Sequence, residues 1–470
     1  MNARGRTHTM LSFRWSTIRH SALALCLAIP GFASRSAAQG AITITFDDAI
    51  RLSLKQSVAV RQAENTVAAS TETVRQRSSA FLPSFSLSTN TSESYGYTFN
   101  QNEGRIVDQT TTSVNLNANS ALTVYDGGRN IAQLKEARLS NNANDADLSR
   151  ARQTAVFTAA SGFLTLVQRE EQVRVQRDNL SAQMAQDTAI QRMVRAGARP
   201  ISDQYQQQAT VASSQYSLVT AQRDRELARV ALMRALQLDP RGEYNFVAPA
   251  MADSMQILRF NLDSLLVKAL GSRADLEALD TRLEATAFTV RNAAGSRLPQ
   301  VSMSLGYGTA FNSASELSFG NQFNQRRSGS LGLALSVPIF DRRQASVAAQ
   351  QARIAADNAR LSVQDRRLAI GSEVREAYLN HTAAVEQYDA ARVQLAAADL
   401  AANTQARRYA VGAGTLVEVT AARAQLVQAA SAVVSAKYAL AFQQSLMSYY
   451  VGDMVPESTS LAGLSGASSR

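Results

Sequence analysis

Two kinds of hydrophobic pattern alternate along this chain. From Arg129 to Ala196 runs a stretch rich in alanine, glutamine, arginine and leucine, with no proline and one interior glycine, Gly162. These residues favour helix, and an unbroken helix of that length would reach about 100 Å. It stops at Gly197-Ala198-Arg199-Pro200. A matching stretch runs from Arg342 to Val411 and stops at Gly412-Ala413-Gly414. Each is followed by a shorter helical pattern, Ile201 to Leu236 and Leu416 to Tyr450. In the last of these Val419, Leu426, Val433, Leu440 and Met447 stand seven residues apart, a narrow coiled-coil seam.

The second pattern has period two, as expected of strands. Val301, Met303, Leu305 and Tyr307 alternate with Ser302, Ser304, Gly306 and Gly308. Leu331, Leu333, Leu335 and Val337 alternate with Gly332, Ala334 and Ser336. Phe85 and Leu87 among serines, then Val114, Leu116 and Ala118 among asparagines, give the same signal earlier in the chain. Each run is roughly ten residues long, which suits a tilted transmembrane strand. An ordinary sheet covering a soluble core is the rival reading of period two. The flanking helices oppose it, because they leave no separate core to cover. Four strands cannot close a barrel, and open edges are not viable in lipid, so a membrane reading requires several chains to pool their strands.

The chain repeats itself. Asp47 to Ser88 aligns without a gap on Asp263 to Ser304, pairing Leu82-Pro83 with Leu298-Pro299. One residue out of that register, Asp126 pairs with Asp341, Gly197-Ala198 with Gly412-Ala413, and Asp203 with Glu418. A unit this long is an internal duplication rather than a short solenoid period. In each half a helix of about 35 residues, Phe46 to Ala80 and Leu262 to Arg297, is expected before the Leu-Pro stop. Pro83, Pro299 and Pro338 mark helix–strand junctions, and no proline after the leader falls inside a predicted helix. The expected division is a signal peptide at 1–38, a first repeat at 39–238, a connector at 239–261, a second repeat at 262–452 and a tail at 453–470.

The leader alters what chemistry is available. Arg4, Arg6, Arg14 and Arg19 precede an apolar core from Ala22 to Phe32, too short to span a bilayer, and Ser36-Ala37-Ala38 offers small residues for cleavage. Cleavage there removes the only cysteine, Cys26, the only tryptophan, Trp15, and two histidines, His8 and His20. No disulfide or thiolate metal site is then possible. The leader carries five basic and no acidic residues, so the formal charge of +10 falls by five to +5. The remaining arginines are interspersed with acids along helices, which reads as solvated faces and not as a nucleic-acid stripe. No apolar run beyond the leader reaches the roughly 18 residues of a spanning helix.

Catalytic motifs are missing: the sequence contains no phosphate loop, no H-E-x-x-H and no G-x-S-x-G. His381 is the one histidine of the mature chain and sits in mid-helix. The sequence therefore points away from an enzyme and implies no cofactor or metal. The turns between long and short helices are the informative sites. Their glycines allow the reversal, and Pro200 suits the first turn of the helix that follows. Asp203 and Glu418 fall in the first turns of the returning helices, where a carboxylate also serves simply to complement the helix N-terminus. Tyr409 lies three residues before Gly412, within reach of the tip.

The duplicated helix, Leu-Pro, strand pair, long helix and glycine tip, with the tip segments Val194 to Ala198 and Tyr409 to Ala413, resembles the TolC-like outer-membrane factors over essentially the whole mature chain. The resemblance implies a homotrimer whose twelve pooled strands form an outer-membrane barrel. Its helices would form a tapering periplasmic tunnel, closed at the tips until a periplasmic adaptor and an inner-membrane transporter dock. It implies adaptor docking at Gly197, Ala198, Gly412 and Ala413, and a gate built from Arg199, Asp203, Tyr409 and Glu418. Gly414 stands where the second tip of the family often has arginine, and Ala421 replaces an acid found in some relatives. The function expected is a passive exit duct of an efflux pump. The alternatives are a conduit for type I protein secretion, which neighbouring genes would distinguish, and a soluble periplasmic coiled-coil adaptor or rod.

Overall fold

A computed structural model describes residues 42–100, 104–247 and 257–454 of the chain. The expected leader, Pro249 and Pro456 lie outside the described residues. The first half begins with β1 (Ile42–Thr45), α1 (Phe46–Gln56) and α2 (Val58–Ser79). Strand β2 (Ser84–Ser94), a small hairpin of β3 (Tyr97–Asn100) and β4 (Arg105–Asp108), and β5 (Thr111–Tyr125) follow. Helices α3 (Arg129–Arg195) and α4 (Ile201–Ala235) lead to β6 (Tyr244–Val247). The second half runs α5 (Leu262–Ser272), α6 (Ala274–Gly295), β7 (Gln300–Asn312), α7 (Phe319–Gln325), β8 (Ser328–Ser336), α8 (Gln344–Ala410) and α9 (Leu416–Val451).

Corresponding helices have matching lengths: 11 residues in α1 and α5, 22 in α2 and α6, and 67 in α3 and α8. At 1.5 Å per residue the long pair reach about 100 Å each. They form antiparallel hairpins with α4 and α9, and α2 and α6 pack along the remaining length of the long helices. Among the described residues no helix is long and apolar enough to cross a membrane.

The expected 35-residue helix is broken in both halves, at Ser57 and at Arg273. Both residues take extended backbone, with φ/ψ of −56°/123° and −75°/117°. Neither break contains proline, and only the second has a glycine beside it, Gly271 in the last turn of α5. Ser57 is a residue that starts helices, and its hydroxyl accepts the Val60 N–H at 3.5 Å. Arg273 does the same job by an unrelated route, described below.

Also unforeseen is the parallel pair β1–β6, which ties the segment before α1 to the segment that follows α4. Four residues are too few for periodicity to register. Their apolar side closes the main core, where Phe163 of α3 meets Phe46 edge-on at 5.4 Å and Phe246 at 6.4 Å. The connection from β2 to β5 contains β3 and β4, and that from β7 to β8 contains α7. Gln322 of α7 is fully buried and donates to the carbonyls of Asn312 (3.1 Å) and Leu317 (2.8 Å).

The four long strands form one antiparallel sheet in the order β2-β5-β7-β8. Register places Phe85, Ser120, Leu305 and Leu331 in one row across it, and Leu122, Met303 and Leu333 in another. Facing away from them run Ser86, Asn119, Gly306 and Ser330. Among the described residues nothing covers the apolar side: Leu331 and Leu333 are 74% and 73% exposed. Strands β2 and β8 each have one edge unpaired among the described residues.

Candidate gate and docking tips

Both hairpin tips close by the same backbone device. In the first, the N–H of Gly197 donates to Val194 O (3.0 Å) and that of Ala198 to Met193 O (2.8 Å). In the second, Gly412 donates to Tyr409 O (3.1 Å) and Ala413 to Arg408 O (2.8 Å). This is the Schellman arrangement, which requires a left-handed residue one position past the helix. Gly197 and Gly412 supply it at φ +67° and +81°. A Cβ at either would meet nothing within 4 Å, so backbone conformation and not crowding demands the glycine. Pro200 is the residue preceding α4 and not part of its first turn; its carbonyl accepts the Asp203 N–H at 3.1 Å.

Three of the four expected gate residues meet. Tyr409 of α8 donates its hydroxyl to Asp203 Oδ2 of α4 at 3.1 Å. Arg199 donates to the Tyr409 carbonyl at 2.5 Å and lays its guanidinium 4.1 Å from the centre of the Tyr409 ring. Tyr409 is only 2% exposed, seated on Ile190, Leu416 and Val419 with Val194 beside them. Burial, then the hydrogen bond to Asp203, pushes its phenol above the ordinary range, so it remains a donor across physiological pH. The duplication makes this pairing possible. The first half has Val194 where the second has Tyr409, and the second has Gly414 where the first has Arg199. Each tip lacks what the other provides.

Glu418 stands apart from this cluster. It accepts the Thr415 N–H at 3.0 Å while Thr415 Oγ1 accepts the Glu418 N–H at 3.3 Å. That reciprocal pair is a capping box, so the carboxylate serves its own helix. The junction prolines lie where the strands begin and end: Pro83 precedes β2, Pro299 precedes β7, and Pro338 follows β8.

Sequence reasoning missed a second polar cluster, halfway along the molecule. Arg273 has a side chain that is 0% exposed and bridges Asp275 (2.8 Å) and Glu373 (2.5 Å). Arg366 of α8 contacts the same two carboxylates at 2.7 and 2.9 Å. Burial alone would raise the Asp275 carboxyl, but hydrogen bonds from the two guanidinium groups overcome it and hold that carboxyl well below the usual carboxylate range. Nearby, Arg150 of α3 donates to the Tyr449 carbonyl of α9 at 3.2 Å and stacks on its ring at 3.9 Å. The first half has Ser57, Ala59, Ala151 and Thr158 at the positions of Arg273, Asp275, Arg366 and Glu373. Comparing the two halves position by position is the one signal that would have revealed this divergence.

A sheet with a bare apolar face at one end of 100 Å helical hairpins, and a polar latch at the other, defines a membrane-anchored conduit wall. The outer membrane efflux protein family model matches residues 49–237 and 265–448, and the chain belongs to that family. It is a channel protein of the outer membrane, with its helices on the periplasmic side. No curated protein sequence matches it. Solved structures with the same fold include the Vibrio cholerae outer membrane protein VceC, at 18% identity and TM-score 0.74 over 87% of this chain and 96% of that one. The Campylobacter jejuni CmeC outer membrane channel matches at 17% and 0.74, over 89% and 87%. The open-state Neisseria gonorrhoeae MtrE channel matches at 17% and 0.72, over 87% and 88%.

Proposed function

We propose that this chain is the exit duct of a tripartite efflux pump. In this reading it passively conducts substrates from a periplasmic adaptor and an inner-membrane transporter to the outside. The observation that carries it is the four-stranded sheet with an exposed apolar face and two open edges. Lipid tolerates no open edge, and three copies of four strands would give a closed barrel of twelve. The six long-and-short hairpins of such a homotrimer would then form one tunnel wall. The latch of Arg199, Asp203 and Tyr409 lies where that wall would narrow, which supports its reading as the periplasmic gate. The strain-free glycine turns at Gly197-Ala198 and Gly412-Ala413 are the surface an adaptor would engage.

Purification in detergent followed by planar-bilayer recording tests the reading. A heat-modifiable trimer with low resting conductance is expected. A monodisperse monomer that stays soluble without detergent would refute it.

A further inference from the structure

At the opposite end from the tips, where β5 passes into α3 and α6 into β7, the wall holds a cavity of about 560 Å³. Its floor is apolar, with Ile131, Phe288 and Leu298, and its rim is cationic, with Lys135, Arg291 and Arg297. The Lys135 ammonium lies 5.4 Å and the Arg291 guanidinium 5.1 Å from the centre of the Phe288 ring. None of the three rim cations forms an ion pair or a side-chain hydrogen bond among the described residues. Beside them, Arg129 packs against Gly295 with its Nε buried and unpartnered. Of the acids at the start of α3, Asp126 accepts the Asn130 N–H at 2.7 Å and Glu136 accepts the Ser140 hydroxyl at 3.3 Å.

In the middle of the molecule each cation of the ion network has two carboxylates. Here several cations share one rim without any. Like charges gathered in this way call for an anion from outside the chain. The apolar floor indicates that the anion carries hydrocarbon. The location specifies further: Leu298 and Pro299 lie directly before β7, whose Val301, Met303 and Leu305 belong to the bare apolar side of the sheet. The pocket therefore borders the level at which headgroups of the periplasmic leaflet would lie, and long cationic side chains are suited to reach them.

We propose that this pocket binds an anionic phospholipid of the periplasmic leaflet, its phosphate on Lys135, Arg291 and Arg297 and its first acyl segment over Phe288 and Leu298. The assignment rests on the membrane-spanning reading of the sheet.

The test uses the full-length protein carrying Trp15→Phe and Phe288→Trp, which leaves one tryptophan as a reporter in the pocket. Reconstituted with brominated lipids, the reporter is expected to be quenched more by phosphatidylglycerol than by phosphatidylcholine. Lys135→Ala and Arg291→Ala should each reduce that preference about fivefold. Equal quenching by the two lipids overturns the proposal. So does relief of quenching by inorganic phosphate, which would mark a site for a soluble anion. A second reporter, Leu305→Trp in a separate variant with Trp15→Phe and the native Phe288, separates the two levels of the argument. If both lipids quench it while position 288 shows no preference, the headgroup site alone fails. If neither lipid quenches it, the membrane reading fails and the site falls with it. Native mass spectrometry of the unsubstituted protein gives a readout free of the reporter: selective retention of phosphatidylglycerol is expected, and indiscriminate retention counts against the site.

Discussion

At the scale of single residues, the latch and the buried ion network make opposite demands. Tyr409→Phe keeps the ring stacked beneath Arg199 and removes only the hydroxyl that Asp203 accepts. A hydrogen bond to a charged acceptor contributes about 1.5–3 kcal/mol, so a state held by the latch should lose about tenfold or more in population. A rise in single-channel conductance or open probability is the expected readout, with Asp203→Asn giving a smaller rise. Glu418→Gln should instead leave conductance near the wild-type value, because its carboxylate caps α9. Arg273→Ala belongs to a different class. It leaves Asp275 and Glu373 half-buried with only Arg366, and removing one partner of a buried ion network costs about 3–5 kcal/mol. A lowered thermal midpoint of the helical signal would show it.

The same network sets a pH dependence with a definite sign. The folded carboxyl of Asp275 is depressed below its ordinary value of 3.8. Its stabilising contribution is therefore complete above about pH 4 and is lost only as pH falls below the unfolded value toward the folded one. Thermal midpoints measured between neutral and strongly acid pH should show this loss in the wild type. In Asp275→Asn that particular acid-linked component should be missing, on top of a lower midpoint throughout.

At the scale of elements, much was visible before any coordinates. The long helices, their end points, the four long strands and the glycine turns follow from helix-favouring composition, from the placement of proline and glycine, and from the runs of period two. The breaks at Ser57 and Arg273 were not visible, because neither contains proline: Ser57 caps the next helix locally, and Arg273 is held by Asp275 and by Glu373 from α8. Strands β1 and β6 were equally hidden, since their pairing lies in contacts some 200 residues apart and not in a pattern. The site shows the same division. Position along the chain brought Arg199, Asp203 and Tyr409 to the tips, but only the fold shows that Glu418 is turned to its own N-terminus. The tip glycines carry their own prediction. A bulky residue at Gly197 or Gly412 must adopt positive φ at a cost of roughly 1–2 kcal/mol. That is too little to unfold a helix of 67 residues held along its whole length. Gly197→Val with Gly412→Val is thus expected to assemble normally and to lose adaptor cross-linking and efflux. Normal efflux in the double variant would remove the tips from the docking surface.

At the scale of the whole molecule, the duplication is the governing fact. Two halves with one order of elements have kept their helix lengths while their polar residues diverged. Two of those differences carry the polar clusters: at the tips, Tyr409 and Arg199 each occur once, and at the mid-height break one half has Ser57 and the other Arg273. The conserved dimension is height, and the diverged one is chemistry.

Equal staves make a level rim. Both long helices have 67 residues, and the contacts of Tyr409 with Arg199 and Asp203 hold the two tips side by side, so a surface that caps them meets a level edge. Deleting one heptad from α3 with its counterpart in α4 would set alternate tips back by about 10 Å. The rim would become crenellated, and a ring-shaped partner could rest on only half of its footing. A matching deletion in α8 and α9 would level it again at lower height. The singly shortened chain is therefore expected to lose adaptor cross-linking and the doubly shortened one to regain it, so cross-linking yield across the two deletions measures whether levelness itself is what the partner reads.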